Sequence, residues 1–351
     1  MYSTIRINSR LYDFPELKSA IDSGILFGSG TEWEKDLSSF LKEWMDGKEY
    51  VTGRTSGSTG APKTIRLSKN AMIASALRSN RFFQLQKEDS ALLCLPVSYI
   101  AGKMMVVRAI VGGLNLITVS PSSTLEWDGN VAFAAMVPLQ VQALLATGKG
   151  RKRLCSIDKL LIGGSPVSDL LVKELCELPV NVYLTYGMTE TVSHIALCRI
   201  DKNGMKEKVY TALPDVVFGA DDRGCLIIEA PYLQDEPFVT NDVVKLLSNT
   251  SFIWLGRWDN VINSGGFKLF PEDIERKIAG MLDARFYITS LPHRLLGQQI
   301  VLKVEDSPWS EEKKRLFFQQ LKSRLTKYEV PREILFVDKF EETGSGKVKR
   351  N

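Results

Sequence analysis

The sequence has 351 residues, of which 44% are hydrophobic and 25% charged, and its formal net charge is +4. This length can bury a sizeable core and predicts two domains, whereas the modest, scattered basic charge argues against nucleic acid as a partner. The sequence lacks a run of about 18 apolar residues, so we expect no membrane insertion and predict a cytoplasmic protein. Five widely spaced cysteines are typical of reduced core residues, not of a disulfide framework.

The elements predicted in chain order fall into two groups. A helix from Glu32 to Met45 precedes residues 91–184, where buried strands alternate with helices. This alternation predicts a layered α/β domain with a largely parallel sheet, followed by a β-rich portion over residues 209–255. Past Arg257 the pattern changes to a small α+β module. We therefore predict a large domain at 1–256, a hinge at 257–259 and a small domain at 260–351.

A polar stretch follows the first helix, and its composition is typical of a phosphate cradle. Glycine backbone N–H groups can turn toward an anion, while hydroxyls and a lysine add donors and charge. Pro62 stands where a Walker A loop has glycine. Because residues 65–67 look like a short strand, we expect the loop to join two strands and not to open a helix, with a plain surface linker as the alternative. The candidate binding residues are Thr55, Ser56, Gly57, Ser58, Thr59, Gly60 and Lys63.

Histidine is scarce, because only His194 and His293 occur. Neither stands in a nucleophile-elbow context, which argues against a serine or cysteine hydrolase. A carboxylate substrate is already ionised at neutral pH, so its attack on ATP needs no general base. His194 lies in an apolar run, and we interpret it as structural.

The order Thr-Ser-Gly-Ser-Thr-Gly-x-Pro-Lys resembles the ATP-binding loop of the AMP-forming adenylating enzymes, and later segments resemble that family in the right order. The resemblance implies the adenylating-enzyme fold, shortened at the N-terminus because only 54 residues precede the loop. It also implies ATP, Mg²⁺, coenzyme A and a small carboxylic acid as cofactor and substrates.

The segment 186–190 resembles the family's most specific signature. By this resemblance Tyr186 stacks on adenine, Gly187 and Met188 border the nucleotide, Thr189 binds the α-phosphate as a catalytic group, and Glu190 holds Mg²⁺.

Three further segments complete the resemblance. Asp242, in Thr-Asn-Asp where the family has Thr-Gly-Asp, and Arg257 would bind the ribose. Asp259 would be the interdomain hinge, and Gly265-Gly266 would border the coenzyme A channel. Lys347, in the tail Gly-Ser-Gly-Lys, would be the catalytic lysine.

The stretch Gly-Met-Thr-Glu-Thr-Val-Ser at 187–193, the compact length and the minimal tail carry a narrower resemblance, to the short o-succinylbenzoate–CoA ligases of menaquinone synthesis. In the wider family, the segment that Gly163-Gly164-Ser165 resembles lines the adenine and acyl pockets, and Tyr99 and Ser193 would border the substrate. A second substrate carboxylate needs a cation, for which Lys103 is the candidate, with a solvated helix-start lysine as the alternative.

Three other functions stay open at this point. They are another small aryl- or acyl-CoA ligase, a stand-alone adenylation domain that loads a carrier protein, and a non-enzymatic nucleotide sensor. The last is disfavoured because Lys347, Glu190, Asp242 and Arg257 are all present.

Overall fold

The computed structural model describes residues 2–27, 30–54, 64–201, 207–341 and 348–350. The strands are β1 (Thr4–Ile7), β2 (Arg10–Asp13), β3 (Tyr50–Arg54), β4 (Thr64–Ser68), β5 (Ser90–Leu93), β6 (Asn115–Thr118), β7 (Val131–Met136), β8 (Ile157–Ile162), β9 (Asn181–Gly187), β10 (His194–Arg199), β11 (Val209–Ala212), β12 (Val217–Ala220), β13 (Cys225–Glu229), β14 (Phe238–Ser248), β15 (Ser251–Arg257), β16 (Ile262–Ser264), β17 (Phe267–Leu269), β18 (Phe286–His293), β19 (Gly297–Glu305) and β20 (Glu333–Val337). The helices are α1 (Phe14–Asp22), α2 (Glu32–Met45), α3 (Lys69–Phe82), α4 (Ile100–Gly112), α5 (Pro138–Leu145), α6 (Gly148–Cys155), α7 (Asp169–Cys176), α8 (Pro271–Ile278) and α9 (Glu311–Arg324), with a 3-10 helix at Trp258–Asn260.

One sheet of thirteen strands dominates these residues, in the order β12-β13-β14-β15-β11-β10-β9-β8-β7-β5-β6-β1-β2. The strands from β9 through β8, β7, β5 and β6 to β1 are parallel, and those from β9 to β12 are antiparallel. Helices pack against the parallel half, so its strands carry near-continuous apolar runs, such as 91–93 and 160–162. The predicted layered α/β fold with a β-rich portion is confirmed.

The N-terminal hairpin β1–β2 and helix α1 are elements that the sequence pattern does not predict. Arg6 pairs in parallel with Asn115, so the hairpin extends the large sheet, and Ile5 and Ile7 are buried there. Helix α1 is capped by Asp13, which accepts a hydrogen bond from Glu16 N at 2.8 Å. The short segment before the predicted phosphate loop therefore contributes both sheet and helix.

The second sheet lies in the C-terminal part, in the order β17-β16-β19-β18 with β20 beside β19. Helices α8 and α9 cover it through a core that includes Ile274, Leu302, Phe317 and Leu321. The 3-10 helix Trp258–Asn260 separates the last strand of the large sheet from this module. The predicted hinge, 257–259, overlaps the end of β15 and the start of this 3-10 helix, and its role as a hinge stays a prediction.

The hairpin β3–β4 flanks the predicted phosphate loop. Arg54 pairs with Thr64 in antiparallel register, so the intervening chain joins two strands, as expected, and does not open a helix. Residues 55–63, with all seven candidate phosphate-binding residues, lie outside the described residues, as does Lys347.

Two expectations from composition can be compared with the structure. No helix in the described ranges is long and apolar enough to cross a membrane. Cys94, Cys198 and Cys225 are buried as expected, but Cys155 is exposed, which corrects that interpretation. Cys155 ends helix α6, whose buried positions are Gly150 and Leu154, so its side chain falls on the solvent face.

Candidate active site

Two loops follow the adjacent parallel strands β8 and β9 at their carboxyl ends. Gly163 follows β8, and a Cβ atom built on it would clash with Thr185 Oγ1 on β9. A side chain at this position would force Thr185 to shift, so the first loop begins directly against strand β9. Gly164 and Ser165 continue the first loop in exposed positions, at the sheet edge where α/β proteins bind ligands.

The turn between β9 and β10 is held by Thr191, a wholly buried residue that the sequence reasoning missed. Its Oγ1 accepts a hydrogen bond from Met188 N at 3.0 Å and lies 2.9 Å from Ser193 O. These contacts fix the turn that carries the predicted Thr189 and Glu190. Glu190 is exposed, so its carboxylate is accessible for the predicted metal contact.

Asp242, the predicted ribose acceptor, is 8% exposed and already has donors on both oxygens. Tyr186 Oη donates to Oδ2 at 2.7 Å and Trp254 Nε1 to Oδ1 at 3.1 Å. Burial, and next the Asp242 charge, raise the pKa of Tyr186 well above its usual range, so the hydroxyl stays protonated as a donor. A carboxylate has about four acceptor positions, which leaves room for ribose hydroxyls.

Arg257 connects the predicted ribose site to the predicted hinge. Its Nη1 lies 3.5 Å from Asp242 Oδ1, and its Nη2 lies 3.3 Å from Asp259 Oδ2. Asn241, the departure from the family's glycine, donates to Asp259 Oδ1 at 3.5 Å. The structure thus brings Asp242, Arg257 and Asp259 together as one charged group.

The predicted coenzyme A glycines form the two-residue turn between β16 and β17. Gly265 and Gly266 have φ angles of 58° and 85°, which suit glycine in a tight hairpin. A Cβ atom on Gly266 would meet no atom within 4 Å, so the turn is open on that side among the described residues.

The chain on either side of residues 342–347 is anchored to the small domain. Arg350 makes a bidentate pair with Glu275, at 2.8 and 2.6 Å. Burial raises the pKa of Glu275 to about 7, which Arg350 opposes. Lys349 N also donates to Glu341 O at 2.8 Å, so the two ends of the predicted lysine segment are joined.

Two predicted acyl-site residues, Tyr99 and Lys103, lie at the start of helix α4. Tyr99 is its N-cap residue and is 42% exposed. Lys103 is buried, with its Nζ 3.8 Å from Glu43 Oε2 and 4.4 Å from the centre of the Phe40 ring. The lysine therefore contacts helix α2, and its contact with a substrate stays a prediction.

Arg108, further along α4, is a buried residue that the sequence reasoning missed. It is 2% exposed, and its Nη2 donates to Ser193 Oγ at 2.5 Å and lies 3.4 Å from His194 Nδ1. Ser193 Oγ thus lies beside a guanidinium, and the contact of Ser193 with a substrate stays a prediction. Arg108 is the one charged side chain between Met104 and Val111, and this isolation in an apolar run was the available signal.

Sequence comparison relates the chain to known proteins in two ways. A family model described as AMP-binding enzyme matches residues 54–217. The 2-succinylbenzoate–CoA ligase of Listeria monocytogenes is 24% identical over 361 residues, which covers 95% of this chain and 76% of the relative.

Structure comparison gives two further relatives. An acyl-CoA synthetase (AMP-forming)/AMP-acid ligase II-like protein from Dyadobacter fermentans is 33% identical with a TM-score of 0.63, covering 95% of this chain and 96% of that one. O-succinylbenzoate coenzyme A synthetase from Bacillus subtilis, solved with ATP and magnesium ion, has a TM-score of 0.72 at 20% identity. The alignment covers 86% of this chain and 68% of the Bacillus subtilis chain. At this identity the comparison shows a shared fold.

Proposed function

Because the chain belongs to the AMP-binding enzyme family and is an AMP-forming acid–CoA ligase, we propose that its acid is a dicarboxylic aryl acid, o-succinylbenzoate. The reaction has two steps. A substrate carboxylate oxygen attacks the α-phosphorus of ATP and pyrophosphate leaves. The thiol of coenzyme A then attacks the acyl carbonyl, loses its proton, and AMP leaves with the thioester formed.

The observation that carries the substrate class is the buried guanidinium of Arg108. Within the described part of the chain, the Arg108 side chain contacts Ser193 and His194 but forms no ion pair with a carboxylate, and its Nε has no hydrogen-bond partner. Burial lowers the pKa of Arg108 to about 10, so the group stays charged at neutral pH. A buried charge is costly unless it is paired, and the free carboxylate of a dicarboxylic acid supplies the missing partner.

Arg108 suits this role better than Lys103 does. The two residues are five positions apart on α4, which rotates their side chains by about 140° relative to each other. Lys103 faces α2, where Glu43 provides a carboxylate. Arg108 faces the turn before β10, through Ser193, where the acyl-adenylate would form.

For the first step we propose that Tyr186, Asp242 and Arg257 bind the nucleoside and that Thr189 contacts the α-phosphate. Glu190 fits a Mg²⁺ ion, because proteins hold this ion through one or two carboxylates together with phosphate oxygens. When bound, the ion neutralises phosphate charge.

We propose further that Lys347 stabilises the charge on the α-phosphate and that residues 257–259 turn the domain 260–351 between the two steps. Fixed positive charge at the reacting phosphorus lowers the barrier without proton transfer. The turn would then replace Lys347 by Gly265-Gly266, whose open side admits the pantetheine arm.

The test is CoA-dependent AMP formation with o-succinylbenzoate and two analogues that each lack one carboxylate, 4-oxo-4-phenylbutanoate and 2-butanoylbenzoate. Arg108→Met should raise KM for o-succinylbenzoate by about ten- to a hundredfold, the worth of a charge-assisted hydrogen bond, and should leave ATP binding unchanged. Lys103→Met is the matched control on the same helix and should change KM less.

A larger KM effect at Lys103 than at Arg108 would assign the second carboxylate to the lysine. Equal activity of the wild-type enzyme on all three acids would refute the dicarboxylic substrate. ATP–pyrophosphate exchange with o-succinylbenzoate but without a free CoA product would favour the carrier-loading alternative.

A further inference from the structure

Three buried side chains from three separate elements form a polar group behind the acyl site. Ser79 of α3 is 0% exposed, Arg108 of α4 is 2% exposed, and His194 at the start of β10 is 7% exposed. His194 Nε2 lies 3.0 Å from Ser79 Oγ, and His194 Nδ1 lies 3.4 Å from Arg108 Nη2. The hydrogen bonds that this histidine can make with the serine and the arginine depend on which ring nitrogen carries the proton and on whether the ring is charged.

The contacts fix which ring nitrogen carries the proton. Nδ1 faces two groups, Arg108 Nη2 at 3.4 Å and Ser193 Oγ at 3.3 Å. A guanidinium can only donate hydrogen bonds, whereas a hydroxyl that accepts from Arg108 can still donate its own proton, so both contacts are satisfied when Nδ1 is an acceptor. A neutral imidazole has one acceptor and one N–H, which puts the proton on Nε2, where it donates to Ser79 Oγ. Burial, and next the charge of Arg108, hold the pKa of His194 well below 6.5, which keeps the ring neutral at physiological pH.

In this arrangement both hydrogens of Arg108 Nη2 have acceptors within the protein. Nη2 has two hydrogens, and its two contacts are Ser193 Oγ and His194 Nδ1. Nε is buried and has no partner. In the described ranges the hydrogen bonds of the Arg108 side chain all come from Nη2, so Nη1 makes none. The donors that remain are therefore those of Nε and Nη1, and their direction is set by what holds Nη2.

We propose that His194 is a positioning residue, which with Ser79 behind it orients Arg108 toward the second carboxylate of the substrate. This inference rests on the proposed function and deepens it. Long arginine side chains lose much freedom when they are fixed in one rotamer, so a guanidinium oriented before binding recognises a carboxylate at lower entropic cost. Selectivity for dicarboxylic acids then depends on a neutral histidine that touches no substrate.

The test compares two isosteric changes. In His194→Asn the amide oxygen can replace Nδ1 as the acceptor for Arg108, while in His194→Gln the amide can replace Nε2 and keep only the Ser79 contact. His194→Gln should raise KM for o-succinylbenzoate about tenfold with kcat unchanged, and should leave KM for the active monocarboxylic analogue within about twofold. His194→Asn should stay closer to wild type for both acids.

Ser79→Ala is the matched control, since it removes the partner of Nε2 and leaves Nδ1 in place. Ser79→Ala should also raise KM more for o-succinylbenzoate than for the monocarboxylic analogue. The increase should be smaller than in His194→Gln. Equal KM increases for both acids in His194→Gln, or identical behaviour of the Asn and Gln variants, would mean that His194 only fills space and would overturn the inference. If the wild-type enzyme shows no preference for o-succinylbenzoate over the monocarboxylic analogue, the proposed function is refuted, and the inference with it.

A second measurement, of the nitrogen chemical shifts of His194, leaves the residues of the site unchanged and so does not depend on the folding of a site variant. With ¹⁵N-labelled histidine the protein has only two labelled imidazoles, and His293→Gln leaves His194 alone in the spectrum. Nitrogen shifts at pH 7 should show a neutral ring protonated on Nε2. A charged ring, or one protonated on Nδ1, would overturn the inference whatever the substrate.

Discussion

The neutral state of His194 makes the stability of the fold depend on pH in a calculable way. The pKa of the ring is well below 6.5 in the folded protein and returns to 6.5 in the unfolded chain. As pH falls through 6.5 the unfolded chain therefore binds a proton that the folded protein does not. The contribution of His194 to stability is complete above pH 6.5 and is lost progressively below it, until the folded pKa is reached.

The unfolded pKa sets the upper limit of this effect. One pH unit below that pKa, proton binding stabilises the unfolded state by about 1.4 kcal/mol, and one unit above it the effect is close to zero. Lowering the pH from 7.5 to 5.5 should therefore destabilise the folded state through His194 by at most that amount. Arg108 is the charged group that faces the ring among the described residues, and it opposes protonation.

Urea unfolding followed by tryptophan fluorescence at pH 5.5 and 7.5 measures this free energy in the wild type and in His194→Asn. Other groups titrate in the same interval, but they are common to both proteins and cancel in the difference. The wild type should lose more stability than the variant, by roughly 1 kcal/mol at most. Equal losses in the two proteins would show that the buried ring takes up its proton normally, and would refute the electrostatic argument.

Two further predictions concern the proposed domain rotation. Lys347→Ala should reduce acyl-adenylate formation by orders of magnitude, about 3–4 kcal/mol for one transition-state contact, while preformed acyl-adenylate and CoA still give thioester at near the wild-type rate. Equal slowing of both half-reactions, measured by pyrophosphate release and thioester formation, would contradict this role. Asp259→Pro should keep adenylation and abolish thioester formation, because it restricts the hinge. Loss of both steps with an intact circular dichroism spectrum would indicate a structural residue.

The sequence predicts the parts of this structure that depend on local chemistry. The helix at 32–45 is predictable because its apolar side chains repeat on one face and Glu34 accepts a hydrogen bond from Thr31 N. The turn at Gly265-Gly266 is predictable because two adjacent glycines between short strands favour positive φ. Short motifs likewise locate Tyr186 and Asp242, which the structure joins by a hydrogen bond.

Features that depend on long-range contacts are not predictable from one sequence. Ser79, Arg108 and His194 meet only because α3 packs on α4 and β10 pairs with β9, and no local pattern encodes those neighbours. Arg108 lies in a helix that is buried on all sides, so helical periodicity does not mark its functional face. The sequence of the four-residue strand β1 likewise does not predict that β1 pairs with β6.

That partner strand has a consequence for biosynthesis. Arg6 in β1 pairs with Asn115 in β6, so roughly a hundred further residues must be made before the parallel pairing can form, which takes about 5–20 s at usual elongation rates. Until then β1 has only its hairpin with β2, and an isolated two-stranded hairpin is marginally stable in water. Ile5 and Ile7, both buried in the finished protein, therefore leave the ribosome well before their place in the sheet exists, and a chaperone that binds apolar segments has that interval in which to find them.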